Sequence, residues 1–589
     1  MPEPQYKHVP NLALGYNPSV PPDLLQDGES PYVKNLIFDE GLVKTDTGYQ
    51  TFGSTIEGYP QKIFQLVKKA GTSVFLLITT STLYKWATPE WQFVSNSNAT
   101  QASGEHTATD WITVDNTASF RVSYPAPHSS SAWIGVMLES GLQHQTKLNA
   151  VSAGHWLQMD TTLASGATVS DNAAVIEAVP LAGDLDDPVS CAPWVPDDDL
   201  IFTNNKDEPQ LYDSSADECK NIQNLPESGV FLAAVVRIFN NYVCFYNTTE
   251  AGNPYPQRVR RCNTADPTNW ATGNAGYNDL WDEEDHITAV EPIGPYMAVY
   301  REKAIYRQSY VGSTSVLFNF EEMVSGEGAI GIEAVAVLKD FHLVLGNTSI
   351  FRYDGGMSLI DIGKKVKDYI LGRGGRLNPE YKHRALAFQV EELDEAWFLI
   401  PTGDESLLGF LIRVKTDKEV WAIREFYHDF IGYGLYKNPL ARTWNDLTGS
   451  WIEQVWSWDD RRLSVGSSSI MLCGHTPKQV YEYDFVTIAD NTQTIVWEFQ
   501  TKDFSSARFK LRMNLLDIYA NGATVEISRS HDRGSSWTSI ETVTLNESLA
   551  LYNIWSQFLN RMTRYKLSGQ GGGFALEWLG IEFSEESDW

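Results

Sequence analysis

The side chains that could do chemistry here are mostly acidic. Asp197-Asp198-Asp199 and Asp282-Glu283-Glu284-Asp285 are two dense carboxylate runs. Glycoside hydrolysis needs two carboxyl groups at a defined separation across a cleft, and acids stand everywhere along this chain, so no one pair is singled out. Contiguous like charges are usually solvated loops, and neither run has the alternating acids and glycine of a calcium-binding EF-hand loop. The 11 histidines show no His-Glu-x-x-His or metal-triad spacing. His286 beside Asp285 and His531 beside Asp532 read as loop residues. No Gly-x-Ser-x-Gly elbow or Walker A sequence is present. Arg373 and Arg376 flank two glycines that could clasp a phosphate, but a flexible glycine loop with solvated arginines is the simpler account. The expectation is a chain with no catalytic, cofactor or metal site, and not an enzyme.

One motif argues otherwise. Gly326, Gly328 and Gly331 fit G-x-G-x-x-G, with Asp354 near the place of a ribose-binding acid. That fingerprint needs a buried strand before it and a helix after it. Instead Val335 and Val337, then Phe341, Leu343 and Leu345, recur at every second position, and Asn347-Thr348 supplies a turn. Period two around tight polar turns predicts an antiparallel meander.

The end of that meander recurs. Leu83-Tyr84-Lys85-Trp86, Gln210-Leu211-Tyr212-Asp213, Ala304-Ile305-Tyr306-Arg307, Ile350-Phe351-Arg352-Tyr353 and Val480-Tyr481-Glu482-Tyr483 share its pattern. The spacing matches a four-stranded propeller blade of roughly 40–50 residues. The expected fold is all-β: a β-propeller of six to eight blades, about seven, over residues 32–95 and 190–485. The Ser/Thr/Asn/Ala-rich segment 96–189 departs from the repeat and is expected to be an inserted β-sandwich-like domain. Residues 490–589 read as a C-terminal β-sandwich. Residues 1–31, with Pro18, Pro21, Pro22 and Pro31, read as an extended arm lying on a partner or on the chain's own body. Propellers close well when one blade combines strands from both chain ends, and the strands around Leu36–Thr45 are the candidates.

Composition agrees with a packed β protein: 42% hydrophobic and 12% aromatic residues, with 19 Trp. The net charge of −30, from 45 basic and 75 acidic residues, excludes the ordinary nucleic-acid binder, which needs a basic face. It does not exclude a wall past which nucleic acid slides. The five cysteines are widely spaced without a Cys-x-x-Cys pair, as in a protein folded in a cytoplasm. No signal peptide and no membrane-spanning stretch is evident.

Asp27-Gly28-Glu29-Ser30-Pro31 leading to Asn35, Phe38 and Gly41-Leu42-Val43 resembles the opening of tailed-bacteriophage (podovirus-like) proteins of the tail nozzle or tail hub, the packaged-DNA stabilisation group. Arg258-Val259-Arg260 with Asp266-Pro267-Thr268-Asn269-Trp270, Gly331 through Asp354-Gly355, and the C-terminal hairpin look similar to that group too. The resemblance covers most of residues 25–95 and 190–589. It implies a structural virion protein without cofactors, in a homo-oligomeric ring, a hexamer by the resemblance, that continues the DNA channel, with the N-terminal arm reaching a neighbouring subunit or portal-side partner. Portal or adaptor proteins would lie above it and tail-fibre or needle proteins beside or below. The implied location is the virion tail, with folding in the host cytoplasm, and double-stranded DNA would pass without specific binding. Asp197, Asp198, Asp199, Asp282, Glu283, Glu284 and Asp285 are the candidate channel-facing residues, because carboxylates repel passing phosphates. The alternative is a propeller-fold glycan-binding adhesin or glycoside hydrolase of a phage tail. It is supported by the Trp content and by Ser530 to Trp537, which resembles the Asp-box turn of sialidases, a structural feature there too.

Overall fold

In the computed structural model the chain is described over residues 4–586, apart from 40, 98–105, 115–116, 123–131, 139, 141, 153–155, 160–172, 227–228, 282–283, 314–315, 373, 438–467 and 507. Among the described residues the regular structure is nearly all strand, joined by turns and loops, with a single four-residue α-helix at Lys367–Ile370 and three 3-10 turns.

Seven antiparallel four-stranded units make the propeller. The innermost strands of blades 1 to 6 are Pro60–Val67, Ser190–Trp194, Phe231–Phe239, Ile287–Ile293, Val335–Val337 and Leu386–Val390. The long strand Val420–Lys437 serves twice. Its first half is the outer strand of blade 6, paired with Leu408–Lys415, and its second half is the inner strand of blade 7, paired with Ser468–Gly474. Inner strands are apolar almost throughout because blades pack on both faces of each; Phe231–Phe239 reads Phe-Leu-Ala-Ala-Val-Val-Arg-Ile-Phe and is mostly buried. Blade turns follow local chemistry. Asn240 and Asn241, both at positive φ (48° and 64°), join the first two strands of blade 3, as a tight hairpin requires.

The glycine fingerprint sits in a loop that enters the blade 5 meander. A Cβ on Gly328 would lie 1.9 Å from the Arg301 carbonyl oxygen, and one on Gly331 would lie 2.4 Å from that of His383. These glycines let backbones touch between blades.

Closure differs from expectation. The strand that completes blade 7 is Tyr49–Phe52, paired along Gln479–Tyr483. Leu36–Asp39 and Leu42–Thr45 pair with each other, and the latter joins Phe574–Glu586 in the C-terminal sandwich. The proline-rich arm is likewise built into its own chain: Gln5–Val9 pairs with Phe574–Glu586, and Val9, Leu12 and Tyr16 are buried. One sandwich sheet runs Ala550–Asn560, Lys510–Gly522, Phe574–Glu586, Leu42–Thr45, Leu36–Asp39. The other runs Tyr32–Lys34, Val496–Gln500, Met562–Gln570, Thr524–Ser530, Thr538–Thr544. The insertion between blades 1 and 2 is a closed six-stranded barrel rather than two stacked sheets, and it docks on blade 1 where Gln143 Oε1 accepts the Phe93 N–H at 2.8 Å.

Candidate functional site

The seven inner strands enclose a central cavity of about 620 Å³, to which each contributes lining residues. Its wall is largely apolar, with Phe64, Ile238, Met297 and Phe388. Two ion pairs occupy it: Lys62 Nζ of blade 1 reaches across to Glu333 Oε2, beside blade 5, at 2.7 Å, and Arg237 Nη2 meets Glu291 Oε1 at 2.5 Å between the neighbouring blades 3 and 4. Lys62 also lies over the Tyr433 ring, 4.3 Å from its centroid, and Tyr433 stacks on Phe388 at 4.2 Å. Arg237 is steadied by Nη1 donating 2.8 Å bonds to Ser190 Oγ and the Val236 carbonyl.

Burial sets the electrostatics. It lifts the Glu291 carboxyl above its ordinary value against the opposing pull of Arg237. For Lys62, burial favours the neutral amine, but Glu333 and Tyr433 outweigh it and hold the pKa above normal. The Cys191 thiol, also on the wall, is pushed up to about 12 by burial, so it is a poor nucleophile. The constellation is two carboxyl groups from different blades, each paired with a cation, on the wall of one largely apolar cavity.

One mouth is crossed by residues 181–189, which lead from the barrel into blade 2. Gln61 Nε2 donates to the Asp184 carbonyl at 2.5 Å, and Asp186 Oδ1 accepts from His383 Nε2 and Arg384 Nε, each at 2.7 Å. Leu185, Pro188 and Val189 face a small adjoining cavity of about 30 Å³ that also touches Lys62 and Glu333.

None of the described residues of the two acidic runs lines this cavity. Asp197 to Asp199 follow the end of the blade 2 inner strand, whereas Glu284 and Asp285 precede the start of the blade 4 inner strand. Inner strands run in one direction around the axis, so the runs lie on opposite propeller faces. Asp197 Oδ2 accepts the Trp194 indole N–H at 2.9 Å. Asp198, at φ 62°, accepts the Lys69 N–H at 3.0 Å, and Asp199 accepts the Ser214 N–H at 3.0 Å. Asp285 is paired with Arg301 and accepts the Lys303 N–H at 3.1 Å. Asp199 and Asp285 are buried, so the expectation that these two face a lumen is corrected: they lock turns between strands. Glu284 and Asp197 are exposed, and Asp282 and Glu283 lie outside the described residues, as does Arg373. Arg376 packs by its guanidinium against Tyr369 and Phe410 and pairs with Glu425 at 3.7 Å. In the Ser530–Trp537 turn, Asp532 accepts from Ser530 Oγ, Ser536 Oγ and the Ser536 N–H, with Gly534 at φ 88°. These hydrogen bonds hold Asp532 well below the usual carboxylate range, and its contacts are those of a hairpin brace.

Burial, with Asp213 and Asp197 nearby, lifts Asp199 to about 6. A carboxyl whose folded pKa exceeds its unfolded value contributes stability at low pH and loses it as pH rises through the folded value. Asp199→Asn keeps an oxygen for the Ser214 N–H and removes the charge. It is expected to raise stability at pH 7 by about 1 kcal/mol and to flatten the pH dependence between about 4 and 6; denaturation midpoints across that window check it.

No protein-family model and no curated protein sequence matches the chain. Among solved structures, an exo-β-1,3-galactanase from Phanerochaete chrysosporium is 9% identical, over 83% of this chain and 98% of that one, with a TM-score of 0.21. A GH43B protein of a Bacteroides ovatus xyloglucan locus is 11% identical, over 67% and 97%, with a TM-score of 0.24. A carbohydrate-binding module of family 29 is 15% identical and covers 15% of this chain, which spans 59% of that module, with a TM-score of 0.13. The expectation that the chain is not an enzyme is corrected here, since the matched structures bear glycoside-hydrolase titles. The all-β architecture is that of a propeller with β-sandwich and barrel modules.

Proposed function

We propose that the chain is a structural subunit of a bacteriophage tail nozzle or hub, set in a homo-oligomeric ring that continues the DNA channel in the virion tail. The observation that supports this reading is where the opening residues of the resemblance fall: Asp27 and Ser30 tie the N-terminal arm to the sandwich, and Asn35 joins the sandwich to the propeller. Asp27 pairs with Lys7 at 3.0 Å and Lys502 at 2.8 Å, and Ser30 Oγ donates to the Gln500 carbonyl at 2.6 Å. Asn35, at φ 55°, donates to the Val496 carbonyl and accepts the Glu425 N–H, bridging sandwich and blade 6. A wall-forming subunit needs such a stiff junction. The propeller's own cavity is spanned by the Lys62–Glu333 pair and strapped at one mouth, so DNA would pass through the lumen of the ring. The exposed acids of a −30 chain would then keep phosphates from sticking.

A second reading, a propeller-fold glycoside hydrolase, is favoured by Glu291 and Glu333 sharing the cavity. One experiment separates them. The nozzle reading expects a closed multi-subunit ring by mass and electron microscopy. A monomer that cleaves glycans, with activity cut at least about 100-fold by Glu291→Gln or Glu333→Gln, would overturn it in favour of the hydrolase.

A further inference from the structure

We propose that the Ala550–Asn560 strand is the edge through which a second copy of this chain docks onto the C-terminal sandwich. This strand ends its sheet. It pairs on one side with Lys510–Gly522, and among the described residues nothing pairs with its other side. Eleven residues therefore present a row of backbone donors and acceptors to solvent. Proteins protect such edges with charges, prolines, bulges or covers because they template pairing with another chain. This edge has no charged residue and no proline in Ala-Leu-Tyr-Asn-Ile-Trp-Ser-Gln-Phe-Leu-Asn.

Its side chains point the same way. Trp555 is 69% exposed, Leu551 49% and Leu559 41%. Leu515 stands across from Trp555 and Tyr519 across from Leu551, and Tyr519 stacks on Trp578 at 5.6 Å, so the apolar face continues inward from the edge. Charge on this face is paired or bonded inward of the edge: Asp517 is buried and accepts hydrogen bonds from Tyr6 Oη at 2.9 Å and Asn553 Nδ2 at 2.6 Å, half-buried Glu582, across from Leu515, accepts from Asn514 Nδ2 at 3.2 Å, and Arg512, across from Leu559, pairs with Glu586. The edge of the companion sheet, Thr538–Thr544, is different: it is polar and carries Glu541.

Charge selects the occupant. Two copies of a −30 chain repel, so self-contact is favoured where neither surface carries charge, and this strand offers that together with open hydrogen-bonding groups. A basic partner would be drawn instead to the acidic surface that this strand lacks. The inference rests on the ring reading for the existence of a self-contact and adds where that contact lies.

The test is the mass of the full chain by sedimentation, with hydrogen exchange read at residues 550–560. The expected result is an assembly whose 550–560 amides are protected, and in which Trp555→Glu with Leu551→Glu weakens self-association at least 100-fold. Both side chains face solvent, so the variant should keep the wild-type melting temperature; Trp555→Ser serves as a milder second variant with a smaller effect in the same direction. Unaltered assembly in both variants, or equal exchange at 550–560 in assembled and dissociated protein, overturns the inference and leaves the ring reading standing. A wild-type chain that stays monomeric at all concentrations overturns both.

Discussion

Replacing Arg424 with alanine is expected to cost about 3–5 kcal/mol, more than most single substitutions. Arg424 is fully buried and pairs with Asp490 and, at 3.4 Å, with Asp46. Asp46 also pairs with buried Arg413 and accepts the Tyr483 hydroxyl at 2.8 Å, while Arg413 reaches Glu395 at 3.6 Å. The cluster thus ties the segment before the closing strand to blades 6 and 7 and to the start of the sandwich. Removing this cation strands Asp490 without a counter-ion and leaves Asp46 to Arg413 alone, and the uncompensated buried charge is the main cost. Burial already lifts Asp490 to about 6, against the pull of Arg424, and losing that arginine must raise it further. A raised carboxyl loses stability as pH rises through its folded pKa. The deficit of Arg424→Ala should therefore be smallest near pH 5 and grow toward pH 8. Adding Asp490→Asn should recover part of it. Denaturant midpoints measure both, and a loss under 1 kcal/mol, or one equal at the two pH values, would refute the assignment.

The two arginines of this cluster stand in plain sight within apolar strands, Leu-Ile-Arg413-Val and Ala-Ile-Arg424-Glu. A buried face that carries an arginine demands a buried acid, but Asp46 and Asp490 are remote in sequence, so the partners were not legible. The blades were, because their signal is local: period-two apolar runs and turns such as Asn240-Asn241. The closing strand is not legible for the opposite reason. Tyr49–Phe52 and Leu42–Thr45 are equally short and alternating, and the choice between them is made by pairing with Gln479–Tyr483, more than 400 residues away. The central cavity was illegible on the same ground, since Lys62, Arg237, Glu291 and Glu333 come from four different blades and no two form a motif. Acid-run density was a poor guide, because Asp199 and Asp285 are consumed by backbone N–H groups of adjacent turns.

The largest effect is expected from cutting the chain. The sandwich looks in sequence like an independent domain at 490–589, yet both of its sheets contain strands from the other end of the chain. Val9, Leu12, Tyr16, Val33, Leu36, Phe38 and Val43 are each no more than 5% exposed, in one cluster with Trp497, Phe499, Leu516, Ile518, Leu567 and Ile581. Burying a side chain of this size contributes roughly 1.5–3 kcal/mol. Seven of them contribute roughly 10–20 kcal/mol, as much as the whole 5–15 kcal/mol by which domains are ordinarily stable. Their loss would also leave the backbone edges of Phe574–Glu586 and Val496–Gln500 unpaired. Residues 490–589 produced alone should consequently be unfolded or aggregated, without a cooperative thermal transition. The same segment joined through a flexible Gly/Ser linker to residues 4–46 should fold. In the full chain, deleting residues 1–45 leaves Tyr49–Phe52 to close blade 7, so the propeller should retain its protease resistance while the C-terminal hundred residues are digested. A cooperative melt for isolated 490–589, or a protease-resistant C-terminus after the deletion, would show that the N-terminal strands only decorate a sandwich able to stand by itself.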